Sequence, residues 1–311
     1  MSKYSIVVPV FNEETLINES YLRLKQVMDK VNEEYEFIFI NDGSTDASAT
    51  YLKSICSKDS HVKLVDFSRN FGHQVAITAG LDCADGDAVI MIDADLQDPP
   101  EVILEMIKKW KEGYEVVYGK RLKRKGETIF KKISAYLFYR LLKYLTKYDI
   151  PVDTGDFRLI DRRVCNAMRN LCEKGRYVRG LISWVGFKQT FVLYVREERI
   201  SGETKYPLSK MIQFALDAIT AFSYRPLRIA TYLGFIFSGL SFLYFLFVIY
   251  EKLFTSKTIL GWTSLIAINS FMNGVVLIIL GITGEYIGRI YEETKSRPLY
   301  IIREKIGFKE N

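Results

Sequence analysis

Two stretches without a single charged side chain, residues 229–250 and 258–282, constrain this chain more than any other feature. Each is as long as the roughly 20 apolar residues that cross a bilayer. In hydrocarbon every backbone N–H and C=O must be satisfied internally, so such a stretch is predicted to be helical. The chain is therefore expected to combine a polar part with a membrane hairpin closed by the link "EKLFTSK". Arg225 and Arg228 precede the first stretch, and Arg289, Lys295 and Arg297 follow the second. The link carries Lys252 and Lys257 against Glu251. This bias predicts a multi-pass protein of the cell (plasma) membrane with both termini cytoplasmic. Asn269 and Asn273 need partners inside the second stretch, which predicts helix–helix contact.

Ahead of the hairpin, short Val- and Ile-rich runs alternate with helical patterns. Strands are predicted at 4–10, 35–42, 62–68, 88–93 and 114–119. Helices are predicted at 14–31, from a cap at Ser44 or Thr45 to about Cys56, from about Gly72 to Cys83, and from Pro99-Pro100 onward. Further short strands are expected within 151–164 and 187–197. The alternation predicts an α/β fold with a mostly parallel, Rossmann-like sheet flanked by helices. Ligands of such sheets bind at the carboxyl ends of the strands. The predicted organisation is a cytosolic domain over 1–225, two transmembrane helices over 226–290 and a cytosolic tail over 291–311.

The net charge of +6 suits nucleic acid, anionic lipid or a phosphorylated substrate. Placement separates these. Lys120, Arg121, Lys123, Arg124 and Lys125 open a segment in which Phe130, Ile133, Leu137, Leu141 and Leu145 recur at helical spacing. Basic residues beside apolar stripes argue against nucleic acid. The segment is either a surface helix packed on the sheet or a helix lying at an anionic membrane surface, as is a second stripe, Met211, Phe214, Ala218 and Phe222. Cys56, Cys83, Cys165 and Cys172 form no C-x-x-C pair, and with His61 and His73 they make no zinc pattern. They read as reduced thiols. "MSKYSIVVPV" reads as a strand rather than a signal peptide.

The stretch "VIMIDADLQDPPE" brings an apolar strand to an end in Asp93, Asp95 and Asp98. Side chains at i and i+2 of an extended strand end point the same way. Asp93 and Asp95, with Gln97 or Asp98 nearby, are therefore a candidate site for Mg²⁺ or Mn²⁺, hard ions that take carboxylates and substrate phosphates together. The bland alternative is a solvated turn in which Asp98 caps the next helix.

The pattern "SIVVPVFNEE", "FINDGSTD", "FSRNFGHQVAITAGLDCADGDAVIMIDADLQDPPE", "TGDFRLIDR" and R-x-x-G-x-T-K-Y resembles the family 2 glycosyltransferases with a GT-A fold. Among them it is similar to the polyisoprenyl-phosphate glycosyltransferases, above all the bactoprenol glucosyltransferases, and also to dolichyl-phosphate mannose synthases. The resemblance implies a nucleotide-binding role for Pro9, Phe11, Asn12, Glu13 and Asp42, and a metal and diphosphate site at Asp93, Asp95 and Gln97. It implies a phosphate contact for Arg121, a catalytic or acceptor-orienting role for Asp156, and substrate contacts for Arg199 and Lys205 from a mobile loop. Each has a structural alternative: Asn12 and Asp42 as turn caps, Arg158 and Asp161 as a pair, His73 as a packing or capping residue. The implied reaction is inverting transfer of a hexose, first of all glucose from UDP-glucose, to undecaprenyl phosphate by a homotetramer among membrane lipids. A processive synthase would carry Q-x-x-R-W, which is missing here. A soluble transferase leaves the apolar stretches unexplained, and a non-catalytic membrane scaffold predicts damaged acidic motifs. A nicotinamide enzyme would show G-x-G-x-x-G after the first strand.

Overall fold

The computed structural model describes residues 2–122, 154–197, 225–254 and 261–308. The chain forms two compact units, Met1–Ile212 with Arg297–Asn311, and Gln213–Ser296. In the first unit β1 (Lys3–Val10), α1 (Ile17–Asp29), β2 (Glu34–Asn41), α2 (Ser48–Lys58), β3 (Val62–Phe67), α3 (His73–Cys83), β4 (Ala88–Met91) and α4 (Val102–Lys111) alternate as predicted. They are followed by β5 (Val116–Arg121), β6 (Thr154–Asp161), α5 (Arg162–Arg169), α6 (Val178–Val185), β7 (Gln189–Tyr194) and, from the end of the chain, β8 (Ile302–Ile306).

The strands make one eight-stranded sheet in the order β7-β5-β6-β4-β1-β2-β3-β8. β1 lies parallel to β2 and β4, and β2 to β3. β6 enters antiparallel between β4 and β5, and β8 antiparallel beside β3, so the sheet is mixed at both flanks. Ile6, Val7 and Val8 of β1 are all fully buried, as a strand covered on both faces requires. One face, with Ile6, Val8 and Val10, packs on Ile17, Leu24 and Met28 of α1 and on Ile103 and Met106 of α4. The other face receives α3. A Cβ at Gly80 would stand 2.1 Å from Val7 Cγ1, so only glycine lets this helix approach so closely.

Several boundaries differ from prediction because side chains near the strand ends are used for turns. α1 begins at Ile17, since Leu16 and Ile17 donate their N–H groups to the Glu13 carbonyl. Neither Ser44 nor Thr45 caps α2, which begins at Ser48. Both bond to Asn12, while Asp46 Oδ1 accepts from Ser48 N. Asp98 does not cap α4 either: that helix has no side-chain cap, and the Pro99 and Pro100 carbonyls accept from its first two N–H groups. All four cysteines are free thiols.

The second unit contains α7 (Arg225–Phe254) and α8 (Trp262–Thr294). Phe237 and Phe271 pack edge to face across this pair. Within α8, Phe271–Thr294 is long and apolar enough to cross a membrane, and none of it is buried. The apolar stretch of α7, Ala230–Tyr244, is shorter. Among the described residues one helix therefore meets the length that the sequence predicts for two. Asn273 Nδ2 donates to Asn269 Oδ1, one turn back on the same helix. The basic segment around 123–148 and the stripe from Met211 to Phe222 lie outside the described residues.

Candidate active site

The ends of β1 and β2 are tied together by side chains. Pro9 is buried within β1, opposite Ile40. Phe11 follows it into solvent, 37% exposed. Asn12 adopts a left-handed φ of 54°, and its Oδ1 accepts from Thr45 N at 2.8 Å. Glu13 N donates to Ser48 Oγ at 3.0 Å. Asp42 is buried just past β2; its two oxygens accept from Phe71 N at 2.7 Å and Gly72 N at 3.0 Å. Burial pushes its carboxyl upward against those two bonds and the nearby charge of His73. Asn12 and Asp42 thus brace the loops that follow β1 and β2, as the capping alternative anticipates.

Beyond β4 the chain leaves the strand and turns at Ala94 and Asp95. Asp93, Asp95 and Gln97 are partly exposed, while Ala94, Leu96 and Asp98 are buried. Asp93 and Asp95 are thus both on the more open side, but the turn at Ala94 and Asp95, not the continued strand that the sequence predicts, puts them there. Leu96 sits at φ 56°, a strained value for a branched residue, and Gln97 N donates to Asp95 Oδ1 at 3.1 Å. Burial, followed by the nearby charges of Asp156, Asp95 and Asp98, lifts the Asp93 carboxyl to about 6 despite the opposing charge of His73.

Asp156 lies at the start of β6, next to β4, and is 8% exposed. Arg179 of α6 donates Nε to its Oδ1 at 2.8 Å and Nη1 to the Thr154 carbonyl at 2.9 Å. Gln74 of α3 donates Nε2 to Asp156 Oδ2 at 3.0 Å, while its Oε1 accepts from Val178 N. His73 Nε2 lies between the two acids, 3.3 Å from Asp156 Oδ2 and 3.4 Å from Asp93 Oδ1. Burial opposes ionisation of Asp156, but Arg179 and His73 outweigh it and hold the carboxyl well below its ordinary range. Burial likewise opposes a charge on His73, yet Asp93 and Asp156 raise it to about 9.

Arg121 ends β5 and lies over Gly155, where a Cβ would meet its Nη2 at 2.6 Å. Its Nε donates to Tyr194 OH at 3.1 Å, and its Nη2 stands 3.5 Å from Asp98 Oδ2. Arg158, buried beside the same strand end, donates to the Gly155 carbonyl rather than pairing with Asp161. Asp161 caps α5 through Arg163 N and accepts from Trp110.

The fold thus brings Asp93, Asp95, Gln97, Asp156 and Arg121 to one end of the sheet. Arg199 and Lys205 lie outside the described residues. His73, noted from its position near the cleft, contacts two acids. Gln74, Arg179 and Tyr194 were not singled out from sequence. Gln74 and Tyr194 carry a weak signal, since each sits at the site-facing end of an element. Arg179 carries none, because its reach depends on where α6 packs.

Among the described residues no three His, Cys, Asp or Glu side chains form a metal cage. A hard divalent ion that takes one or two carboxylates and completes its shell with phosphate oxygens fits this donor set. Asp156, Asp95 and Asp98 add to burial in lifting Asp93, and such an ion would offset their negative charge.

The chain is similar to known proteins along nearly its whole length. Residues 5–169 match the model of "Glycosyl transferase family 2". An "Uncharacterized glycosyltransferase YkcC" of Bacillus subtilis is 62% identical over 305 residues, 98% of this chain and 94% of that one. A "Bactoprenol glucosyl transferase" of Shigella phage SfII is 43% identical, covering 97% of this chain and 98% of its own. Glucosyl-3-phosphoglycerate synthase from Mycobacterium tuberculosis, solved with Mn²⁺, UDP-glucose and phosphoglyceric acid, aligns with a TM-score of 0.46 at 22% identity, covering 70% of this chain and 78% of that one.

Proposed function

Because this chain belongs to glycosyl transferase family 2, we propose that this glycosyltransferase moves a hexose, glucose from UDP-glucose in the first instance, onto undecaprenyl phosphate at the cytoplasmic membrane face. The observation that carries the reading is the acidic strand end, Asp93 and Asp95, set against Asp156 with its cationic partners. Relatives more than 40% identical along nearly their whole length are named bactoprenol glucosyl transferases, which supports a polyprenyl phosphate acceptor.

Mg²⁺ or Mn²⁺ held by Asp93 and Asp95, with Gln97 beside them, would act as a Lewis acid on the departing diphosphate. Arg121 is placed to meet phosphate oxygens at the same rim, where a charge-assisted bond is strong. The acceptor is a phosphate monoester with a second pKa of about 6, so at neutral pH it is largely dianionic and needs no base. Asp156 is already ionised and bonded to Arg179 and Gln74. Its part is to hold those groups and tune the local charge, not to remove a proton. Attack opposite the leaving group inverts the anomeric carbon. Arg199 and Lys205 are proposed to contact the substrates' phosphates.

The acceptor is a lipid, so the site must stand at a membrane. Phe271–Thr294 supports membrane association. We extend this to a two-helix hairpin over 226–290, a catalytic domain over 1–225, a tail over 291–311, cytoplasmic termini and a homotetramer.

The test uses detergent-purified full-length protein, Mg²⁺ or Mn²⁺ and undecaprenyl phosphate with a panel of nucleotide sugars. Glycolipid is expected with UDP-glucose. Product only with an N-acetylhexosamine, galactose or mannose donor would keep the chemistry and change the sugar. Absence of product with every donor would sink the reading. Asp95→Ala is expected to abolish turnover with the thermal midpoint nearly unchanged, because the side chain is partly exposed.

A further inference from the structure

We propose that Asp98 is a positioning residue which, together with Tyr194, sets the Arg121 guanidinium for phosphate contact, an inference that rests on the function proposed above. In the loop after β4, Asp98 alone among the acids points inward: it is 1% exposed, whereas Asp93 and Asp95 lie on the open side. Its Oδ1 accepts from Tyr194 OH at 2.5 Å and faces Arg196 Nε at 3.3 Å. Its Oδ2 faces Arg121 Nη2 at 3.5 Å and accepts no hydrogen bond among the described residues. The same Tyr194 oxygen accepts from Arg121 Nε. A carboxylate, a phenol and a guanidinium therefore close a triangle, in which Tyr194 hands the position of Asp98 to Arg121.

Three structural features fix this triangle in space. Gly155 leaves no side chain under the guanidinium, so Arg121 settles directly on the start of β6, one residue before Asp156. Glu197 N donates to the Gln97 carbonyl at 2.9 Å, fastening the end of β7 to the acidic loop. Arg23 of α1 clasps Glu101 and Glu197 at once, with contacts of 2.8 to 2.9 Å, and closes the same seam from outside. Asp98 leaves one oxygen without a hydrogen bond among the described residues, turned to the Arg121 guanidinium instead. The hydrogen bond described for Arg121 engages only its Nε, so the charge is oriented without taking up all five of its N–H donors.

Charge and orientation make opposite predictions, which allows a clean test. Removing a negative charge beside Arg121 would by itself tighten anion binding, whereas releasing the guanidinium from its pose would weaken it. The experiment uses full-length protein in detergent with Mg²⁺, undecaprenyl phosphate and whichever nucleotide sugar the wild type accepts. Pyrophosphate binding is followed by calorimetry in parallel. Tyr194→Phe keeps every charge and loses one hydroxyl; it is expected to lower kcat about tenfold while the donor KM stays within about twofold, since small misplacements of a catalytic group are costly. Asp98→Asn is expected to lower kcat about 10- to 100-fold and to weaken pyrophosphate binding. Arg121→Gln combined with Tyr194→Phe should be no worse than Arg121→Gln alone. Wild-type kcat in Tyr194→Phe, losses that multiply in the double variant, or tighter pyrophosphate binding by Asp98→Asn would each overturn the proposal. If Asp98→Asn fails to fold, Tyr194→Phe decides. If the wild type makes no glycolipid from any donor, the proposed function fails and the pyrophosphate arm still decides the coupling. A wild type that also binds no pyrophosphate removes both.

Discussion

Asp156 is held ionised by Arg179 and His73, neighbours that come from two other elements. Arg179 on α6, and Gln74 and His73 on α3, meet a carboxylate at the start of β6. A buried carboxylate stripped of its cation bears the full desolvation cost. Arg179→Ala is therefore expected to destabilise the fold by about 3 kcal/mol in urea unfolding and to cut kcat at least tenfold. A variant with unchanged stability would show that Arg179 is not the principal counter-ion. At this scale the sequence names the acids but not their partners. Asp93 and Asp95 are legible because they follow an apolar strand at once and precede the helix start that Pro99-Pro100 marks. Arg179 is separated from Asp156 along the chain by a helix and a loop, and no local periodicity relates them.

Elements carry these side chains to the site by their ends. α3 presents His73 and Gln74 from its first turn, and its depth over β1 is set where Gly80 meets Val7. Away from the site, Asp59 ties α1 to the turn between α2 and β3. Its Oδ2 accepts from Tyr21 OH at 2.6 Å and Lys25 Nζ at 2.5 Å, and its Oδ1 accepts from His61 N at 2.9 Å. Burial pushes this carboxyl up, but Lys25, Tyr21 and His61 hold it far below its ordinary range. A folded pKa depressed in this way contributes stability above the unfolded value of about 3.9, and that contribution is lost as pH falls through the folded pKa. Asp59→Asn is expected to cost about 2 kcal/mol at neutral pH, a figure held down by the partly exposed Lys25. The gap from wild type should persist at pH 5 and narrow below about pH 4. A gap that widened in acid would contradict the depressed pKa.

At the scale of the whole molecule, the end of the chain completes the sheet. β8 covers the free edge of β3, Tyr300 stacks on Phe67 with ring centroids 5.2 Å apart, and its hydroxyl donates to Asp82. An uncovered edge strand would offer its open hydrogen bonds to other chains. Tyr300→Ala is expected to cost about 2 kcal/mol, less than a fully buried aromatic, and to raise aggregation on heating. Equal stability and solubility in that variant would mean that β8 holds the edge without Tyr300.

Periodicity along the chain determined the alternating strands and helices, the acidic strand end and the apolar C-terminal helices, because these features arise between residues a few positions apart. The family resemblance is carried by motifs of the same local kind. The tertiary structure decided what chain-local patterns cannot express: β6 inserted antiparallel between β4 and β5, β8 returning to the far edge, and Arg179 and Tyr194 arriving at Asp156 and Asp98. The physical reason is that strand order and charge pairing depend on how separate buried faces pack together, and that packing is a property of the assembled core.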